Sequence, residues 1–382
     1  MADREILLKN ESVARALLVS SEGIGPGIVK NILVEIDRIA PLFENPQLLN
    51  EYEIPKLGKK LKNKLLNNFE KWNPLTAQEK LLSLGIGVIS GVDEQYPGFL
   101  KQIYHPPPVL FYRGKTELLN KTSIAIVGTR RADNFGIDFA RTLAEKLSEL
   151  GICIVSGLAA GIDAAAHGGA LAAGLTVGVL GTGVDCHYPN RNRKLQKSMA
   201  EDALIVSEYP PGTGPERGHF PARNRIISGL SRAVIVVQAG ARSGALITAD
   251  FALEQGREVY AVPGSVGSSL HRGCHGLIKQ GAGLVSGVED VVDYMQLSGN
   301  FTPRENIVEL SPQAYSLLEF ISERPVSLDE LLAKSNLEIG ECSCALLELQ
   351  ENRLILDLAC QRYQRSPDCR HSKIKTTDNS EK

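Results

Sequence analysis

Short apolar runs alternate with helical segments over residues 120–295. The runs SIAIVG, ICIVSG, TVGVLG, ALIVS, AVIVVQA and EVYAVPG each have the length and composition of a buried strand, and the pattern predicts a helix over about 137–150 between the first two. Continuous apolar strands joined by helices are typical of a parallel sheet that is covered on both faces. The sequence therefore predicts an α/β fold, with a doubly wound, Rossmann-like domain over residues 85–295.

Residues 1–80 have the pattern of short helices rather than strands. The stretch SEGIGPGIVKNILVEI predicts a helix-hairpin-helix turn, because its three glycines permit a tight backbone and Pro26 suits a first helical position. Backbone amides at such a helix start can hold a phosphate. The alternative is a compact helical scaffold. We expect an N-terminal domain of the SAM-like or helix-hairpin-helix-like class.

The segments around the central domain are less regular. Three prolines at 106–108 predict an extended connector, and VLFYRG after them predicts a short edge strand. Residues 296–311 are expected to form a polar linker and residues 312–365 a winged-helix-like domain. In that domain Ser327 and Glu330 have the spacing of a capping box, and RLILDLACQRYQ predicts the wing. The polar tail, 366–382, is expected to be disordered.

Charge and composition exclude several classes of protein. The formal net charge is −2, so attraction to an anionic polymer must come from local clusters of charge. The start MADREILLKN lacks the apolar core of a signal peptide, and the uncharged run 164–184 is rich in glycine, which argues against a membrane span. Seven scattered cysteines favour the reduced cytoplasm, and their spacing predicts no metal site.

Glycines and arginines follow the predicted strands. Ligands of an open parallel sheet bind beyond the carboxyl ends of its strands, where glycine amides and helix starts favour anions. The loop after the first strand, GTRRADNFG, lacks the glycine pattern of a dinucleotide site, and a phosphate-binding P-loop is also absent. An arginine directly after that strand, Arg130, suits an exposed backbone phosphate. Phe220, three residues before Arg223, gives the interleaving of aromatic and basic residues that single-stranded bases stack on.

Structural roles compete with these functional interpretations. Phe220 is equally consistent with a core residue, and Arg225 with an internal clamp to Asp163 or Glu208. His167, on a helix of small residues, is interpreted as a packing histidine rather than a catalyst. Neither a nucleophile–base pair nor a metal-ligand set is recognisable, which favours a binding protein over an enzyme.

Ordered blocks of sequence resemble a known family. IAIVGTR, VSGLAAGIDAAAHGGAL, GVLGTGVDCHYP, SEYPPGT, FPARNRIISGLS, SGALITADFALEQGREVYAVPG and LIKQGAGLV are similar, in this order, to the DNA-processing protein A family, DprA or Smf. The resemblance implies an extended Rossmann fold that binds single-stranded DNA without strong sequence preference. It also implies homodimers, loading of the recombinase RecA, a role in natural transformation, and neither a catalytic activity nor a cofactor.

The resemblance also implies a set of DNA-binding residues. Most of them follow the predicted strands or lie in the FPARNR block, and Lys279 lies in the LIKQGAGLV block. Their positive charge comes from Arg130, Arg223, Arg225 and Lys279. The implied set is Gly128, Thr129, Arg130, Ser156, Gly157, Phe220, Arg223, Asn224, Arg225, Ser243, Gly244 and Lys279.

Two further expectations concern alternatives. The competing function is that of a nucleotide-processing Rossmann enzyme, such as a nucleoside-monophosphate phosphoribohydrolase, but the PGGxGTxxE signature of those enzymes is absent. In the winged-helix-like domain, the segment near 337–350 has the position of a DNA-reading helix, yet it contains glutamates and no basic residue. Phosphates would repel such a helix, so we expect it to contact protein rather than duplex DNA.

Overall fold

The computed structural model describes residues 2–295, 306–322, 324–335, 337–352, 354–358, 361–366 and 372–376. The chain divides into two compact units, Met1–Leu297 and Ser298–Lys382. Among the described residues, no helix combines the length and the apolar character needed to cross a lipid bilayer.

The first unit begins with four helices, as the polar and apolar pattern predicts. They are α1 (Ala2–Val19), α2 (Pro26–Glu35), α3 (Lys59–Lys71) and α4 (Pro74–Ser83). Pro26 opens α2, and the side chain of Asn73 caps α4 by accepting hydrogen bonds from Leu75 N and Thr76 N. Leu18, Ile32, Leu65, Phe69 and their neighbours form a core of their own.

This helical segment does not separate from the sheet as a compact unit, so the predicted boundary at residue 80 does not divide the structure. The first strand, β1 (Gly87–Ser90), lies against α1. The Ser12 hydroxyl on α1 donates to Asp93 Oδ2 at 2.6 Å and lies 2.7 Å from the Ser90 hydroxyl. These long-range polar contacts have no signal in the local sequence.

Eight further strands complete a nine-stranded sheet. They are β2 (Val109–Gly114), β3 (Ser123–Val127), β4 (Cys153–Ser156), β5 (Thr176–Val179), β6 (Leu204–Ser207), β7 (Ala233–Val236), β8 (Glu258–Ala261) and β9 (Gly283–Leu284). The strand order is β1-β2-β6-β5-β4-β3-β7-β8-β9. The pairs from β6 to β9 are parallel, which confirms the predicted α/β fold, and two apolar clusters form its core.

The strand VLFYRG was predicted at the edge of the sheet, and that prediction was wrong. This strand, β2, lies between β1 and β6 and is antiparallel to both, so β1 forms the edge. The sequence of β1, GVIS, is too short to predict a strand by itself. Its hydrogen bonds to β2 determine its conformation.

Eight helices accompany the strands of the sheet. They are α5 (Gly98–Lys101), α6 (Asn134–Glu149), α7 (Ile162–Ala170), α8 (Arg193–Asp202), α9 (His219–Leu230), α10 (Gly244–Glu254), α11 (Arg272–Lys279) and α12 (Val288–Tyr294). Of these, α5 to α11 lie between strands, and α12 follows β9. Because the FPARNR block lies inside α9, its arginines project from a helix rather than from a loop before one.

The second unit has the predicted winged-helix arrangement. Its elements are β10 (Asn306–Leu310), α13 (Pro312–Phe320), β11 (Val326–Ser327), α14 (Leu328–Ser335), α15 (Ile339–Glu351), β12 (Ile355–Leu358), β13 (Arg362–Arg365) and β14 (Ser372–Thr376). The wing is the antiparallel pair of β12 and β13. The predicted capping box is confirmed, because Glu330 N donates to the Ser327 hydroxyl and Ser327 N donates to Glu330 Oε2.

Parts of the predicted linker and tail are ordered strands. β10 lies inside the predicted linker 296–311 and β14 inside the predicted disordered tail 366–382, and the two pair in parallel. Backbone hydrogen bonds between distant segments form this pair, so the polar composition of either segment alone gave the wrong prediction. The rest of the predicted linker, 296–305, lies outside the described residues.

Candidate nucleic-acid interface

The order of the strands creates a crevice beside β3. From β3 the chain passes outward to β4, β5 and β6, and it then returns to place β7 on the other side of β3. Ligands of open parallel sheets bind at such a switch point, beyond the carboxyl ends of the strands. The loops that follow β3 and β7 therefore meet at the expected position of a site.

A cavity of about 610 Å³ occupies this position, and we call it the first cavity. It lies among the loops after β3 and β7 and the starts of α9 and α10. Eight of the predicted residues line it: Gly128, Thr129, Arg130, Phe220, Arg223, Asn224, Ser243 and Gly244.

The loop after β3 packs against the loop after β7 and the start of α7. Thr129 N donates to the Gln238 carbonyl at 2.7 Å, which joins this loop to the end of β7. Gly161, at φ +80°, lets the start of α7 approach closely, since a side chain there would meet the carbonyl oxygen of Thr129. Arg130 is thus presented on a fixed backbone, with its own side chain exposed.

Arg130 and two aromatic rings form one cluster at the cavity wall. The Arg130 guanidinium lies 5.4 Å from the centre of the Phe220 ring, and the centres of the Tyr188 and Phe220 rings are 5.3 Å apart. Phe220 is half-buried, and Tyr188 is 39% exposed. A cation beside partly exposed aromatic rings has the chemistry to bind phosphate and stack a base at the same place.

A second cavity, of about 390 Å³, adjoins the first. Arg130, Tyr188, Phe220 and Arg223 line both cavities, whereas the predicted residue Gly157 lines only the second. The loops after β4 and β5 supply much of its remaining lining.

Arg223 was predicted to supply positive charge for DNA binding, but the structure buries it. It is 4% exposed, and its Nη1 donates to the carbonyl oxygens of Gly157 and Val179. Burial lowers the pKa of Arg223 to about 10, while the carboxylate of Asp163 acts in the opposite direction. The guanidinium therefore stays charged at neutral pH and holds the loops after β4 and β5 beneath the site.

Asp163 and His167 belong to the same buried network. Asp163 Oδ2 accepts hydrogen bonds from Gly157 N and Ala159 N, and burial raises the pKa of this carboxyl above its ordinary value. His167 is fully buried, and burial lowers its pKa to about 3. Because its Nε2 accepts from Leu158 N and its Nδ1 lies 2.7 Å from the Thr176 hydroxyl, His167 is a neutral packing residue.

Arg225 forms an internal ion pair with Glu208, which is the structural role considered in the sequence analysis. Its Nη2 lies 2.5 Å from Glu208 Oε2, and the two side chains are 15% and 9% exposed. Burial raises the pKa of Glu208, which the charge of Arg225 opposes. Arg225 lines neither cavity, so the structure favours the internal ion pair over a direct contact with a ligand in either cavity.

Two other predicted residues lie away from the two cavities. Ser156 is fully buried, and its hydroxyl donates to the Ile126 carbonyl at 2.6 Å, so it joins β4 to β3. Lys279 is exposed at the end of α11 and lines neither cavity. Ser156 was predicted because it follows an apolar run, and Lys279 because it adds positive charge within the LIKQGAGLV block of the family resemblance.

Ser243, Gly244 and Asn224 shape the far wall of the first cavity. The Ser243 hydroxyl caps α10 by accepting from Ala245 N, and Asn224 Nδ2 on α9 donates to the Gly244 carbonyl at 3.4 Å. These contacts fix the start of α10 against α9.

The structure adds residues that the sequence prediction missed. Arg131 and Arg217 line the first cavity, Arg191 lines the second, and Tyr188 lines both. All three arginines are exposed. The run CHYPNRNR, with an aromatic residue among basic ones, carries the signal that could have identified Tyr188 and Arg191.

Charge at the first cavity is strongly positive. Its charged lining consists of Arg130, Arg131, Arg217 and Arg223, with Asp163 as the single acidic residue among the described residues that line it. Such a lining attracts a polyanion although the whole chain is slightly acidic.

Comparison with known proteins identifies the family of this fold and site. The sequence model of the DNA recombination-mediator protein A family matches residues 87–296. The chain belongs to the DprA/Smf family. A second match, to the DprA winged helix domain, covers residues 302–351.

Individual relatives agree with this assignment. Protein Smf of Synechocystis is 35% identical over 384 residues, which cover 90% of this chain and 96% of the relative. The DNA processing protein A of Streptococcus pneumoniae superposes with a TM-score of 0.62 at 35% identity, over 74% of this chain and 97% of its own. That of Helicobacter pylori, solved to explain its single-stranded DNA binding mode, gives a TM-score of 0.52 at 29% identity, over 56% and 97%.

Proposed function

We propose that this protein binds single-stranded DNA, without strong sequence preference, in the first cavity. The observation that carries the proposal is the Arg130 guanidinium beside the Phe220 ring, within a lining of four arginines. Arg130 binds a backbone phosphate through charge-assisted hydrogen bonds, and the aromatic rings stack with bases. Neither contact depends on base identity, because every base has a π-face.

The aromatic cluster favours a single strand over a duplex. In a duplex the bases are already stacked on one another, and their faces are closed to Phe220 and Tyr188. A single strand exposes those faces while it keeps the phosphates that the arginines bind. The single-stranded DNA binding mode of the Helicobacter pylori relative supports a single strand as the ligand.

We further propose that the bound strand is passed to a RecA recombinase, and that the protein acts as a cytoplasmic homodimer during recombination and natural transformation. The description of the matching family as a recombination mediator supports this role. We also propose that the protein is not an enzyme. Its buried candidates for acid–base chemistry, Asp163 and His167, are both engaged in hydrogen bonds within the fold.

Fluorescence anisotropy with labelled oligo-dT and a matched duplex, across a salt series, tests DNA binding. The Arg130→Ala variant is expected to lose about 1–3 kcal/mol of binding free energy and to reduce the salt slope by about 0.7. Phe220→Ala is expected to lose about 1–3 kcal/mol with the slope unchanged, since it removes stacking alone.

Arg232 provides the matched control. It is an exposed arginine directly before β7, at the opposite end of the strands, so Arg232→Ala is expected to bind as the wild type does. Equal losses for Arg130→Ala and Arg232→Ala would contradict the proposed site. Transfer to the recombinase is tested by the rate at which RecA begins to hydrolyse ATP on DNA covered by single-strand binding protein, with and without this protein.

A further inference from the structure

The second cavity differs from the first in the charge of its lining. Arg130, Arg191 and Arg223 line it, and none of the described residues that line it is acidic. The first cavity contains Asp163 beside its arginines. An anion that enters the second cavity therefore meets three guanidinium groups without a carboxylate at the cavity wall.

The buried arginine at the base of this cavity is incompletely compensated. Arg223 is 4% exposed, and its Nε has no hydrogen-bond partner among the described residues. Burial lowers its pKa, and the positive charge of Arg130 acts in the same direction, while Asp163 on α7 opposes both. A bound anion would reduce the repulsion between Arg223 and Arg130.

The size and the walls of the cavity suit one nucleotide. Its volume of about 390 Å³ lies in the range of sites for small molecules and is smaller than that of the first cavity. Tyr188 and Phe220 line it with aromatic side chains. A base can therefore contact an aromatic wall while its phosphate faces the arginines.

The charge distinguishes a terminal phosphate from an internal one. A phosphodiester within a strand carries a single negative charge, whereas a phosphate monoester carries about −1.5 to −2 at neutral pH and offers three strong acceptor oxygens. Three guanidinium groups stabilise the more highly charged group more strongly. We propose that the second cavity binds one nucleotide through a terminal phosphate, either the phosphorylated end of a bound strand or a free nucleoside monophosphate.

Binding of a phosphorylated strand end rests on the proposed function, because it requires that the protein binds DNA. Binding of a free nucleoside monophosphate does not, so it tests the second cavity independently. Anisotropy of internally labelled oligo-dT, with a 5′-phosphate, a 3′-phosphate or neither, measures the strand-end form. Calorimetry with thymidine 5′-monophosphate, thymidine and inorganic phosphate measures the free-nucleotide form. We expect about tenfold tighter binding of one phosphorylated strand than of the unphosphorylated strand, or measurable binding of the monophosphate but not of thymidine.

Two exposed arginines give matched variants. Arg191 lines only the second cavity and Arg217 only the first. Arg191→Ala is expected to abolish the preference for the terminal phosphate and to leave binding of the unphosphorylated strand unchanged. Arg217→Ala is expected to weaken binding of all strands and to keep that preference.

The outcomes separate the two claims. If the unphosphorylated strand binds, but neither terminal phosphate improves binding and the monophosphate does not bind, the second cavity has no such role and the proposed function stands. If Arg191→Ala keeps the full preference, the phosphate binds elsewhere and the inference is overturned. If no strand binds, the proposed function fails, and the calorimetry with the monophosphate alone decides the fate of the inference.

Discussion

The buried pair of Arg225 and Glu208 gives the sharpest test of the structure against the sequence. The resemblance to relatives predicted Arg225 as a DNA ligand, whereas the structure places its Nη2 2.5 Å from Glu208 Oε2, beneath the surface. Arg225→Ala is therefore expected to reduce stability and to leave the affinity for single-stranded DNA unchanged. If Arg225 were instead a DNA ligand, the substitution would weaken DNA binding.

The magnitude follows from the carboxylate that the substitution leaves behind. Removing one partner of a buried ion pair costs about 3–5 kcal/mol. Glu208 can limit this loss by binding a proton, and from its ordinary pKa of 4.5 that protonation costs about 3.4 kcal/mol at pH 7. We therefore expect Arg225→Ala to lose about 3 kcal/mol of unfolding free energy at pH 7.

The loss should depend on pH with a defined sign. In Arg225→Ala the folded-state pKa of Glu208 lies above its unfolded value, because burial is no longer opposed by the arginine. Such a group contributes its full stability below the unfolded pKa and loses it as pH rises through the folded pKa. The deficit relative to the wild type should therefore shrink by up to about 2.5 kcal/mol between pH 7 and pH 5.

Urea unfolding provides the assay. Trp72, the single tryptophan of the chain, lies in the same compact unit as the pair and packs against Phe43 and Phe69, so its fluorescence reports on this unit. Far-ultraviolet circular dichroism is measured in parallel, and coincidence of its unfolding transition with that of the fluorescence indicates two-state unfolding. Adding Glu208→Gln to Arg225→Ala should recover part of the loss, because it removes the unpaired charge. Unchanged stability together with weakened DNA binding would refute the reasoning.

Three further predictions concern other parts of the molecule. Because burial lowers the pKa of His167 to about 3, its contribution to stability is complete above its unfolded value of 6.5 and is lost as pH falls towards 3. Between pH 7.5 and pH 5, the free energy of unfolding measured with urea should therefore fall by about 2 kcal/mol more for the wild type than for His167→Gln. Equal decreases would contradict this account. Gly157→Ala should lose about 1–3 kcal/mol of stability, since the new Cβ would meet the Arg223 guanidinium; an unchanged urea midpoint would show that Arg223 moves freely. A chain that ends at residue 297 should bind duplex DNA no more weakly than the full chain in anisotropy, because the exposed face of α15 carries Glu338, Glu341 and no basic residue; weaker binding would assign duplex contacts to the second unit.

The positions of Arg223 and Arg225 on α9 explain why their side chains have different partners. Residues two apart on a helix do not share a face, so Arg223 and Arg225 point in different directions from α9. Arg223 meets the carbonyls of Gly157 and Val179, and Arg225 meets Glu208. The sequence showed the cluster of charge, but it did not show which loops would surround each side chain.

The sequence by itself determined the six parallel strands β3 to β8 and the eight predicted residues that line the first cavity. Those strands are local apolar runs, and the position of a residue directly after a parallel strand follows from the strand alone, as for Gly128 and Arg130. Only the tertiary structure decided the burial of Arg223, the pairing of Arg225 with Glu208, and the positions of Tyr188 at the first cavity and of Arg191 at the second. The physical reason is that these features depend on contacts between segments distant in sequence, whereas hydrophobic periodicity reports only the conformation and burial of each segment by itself.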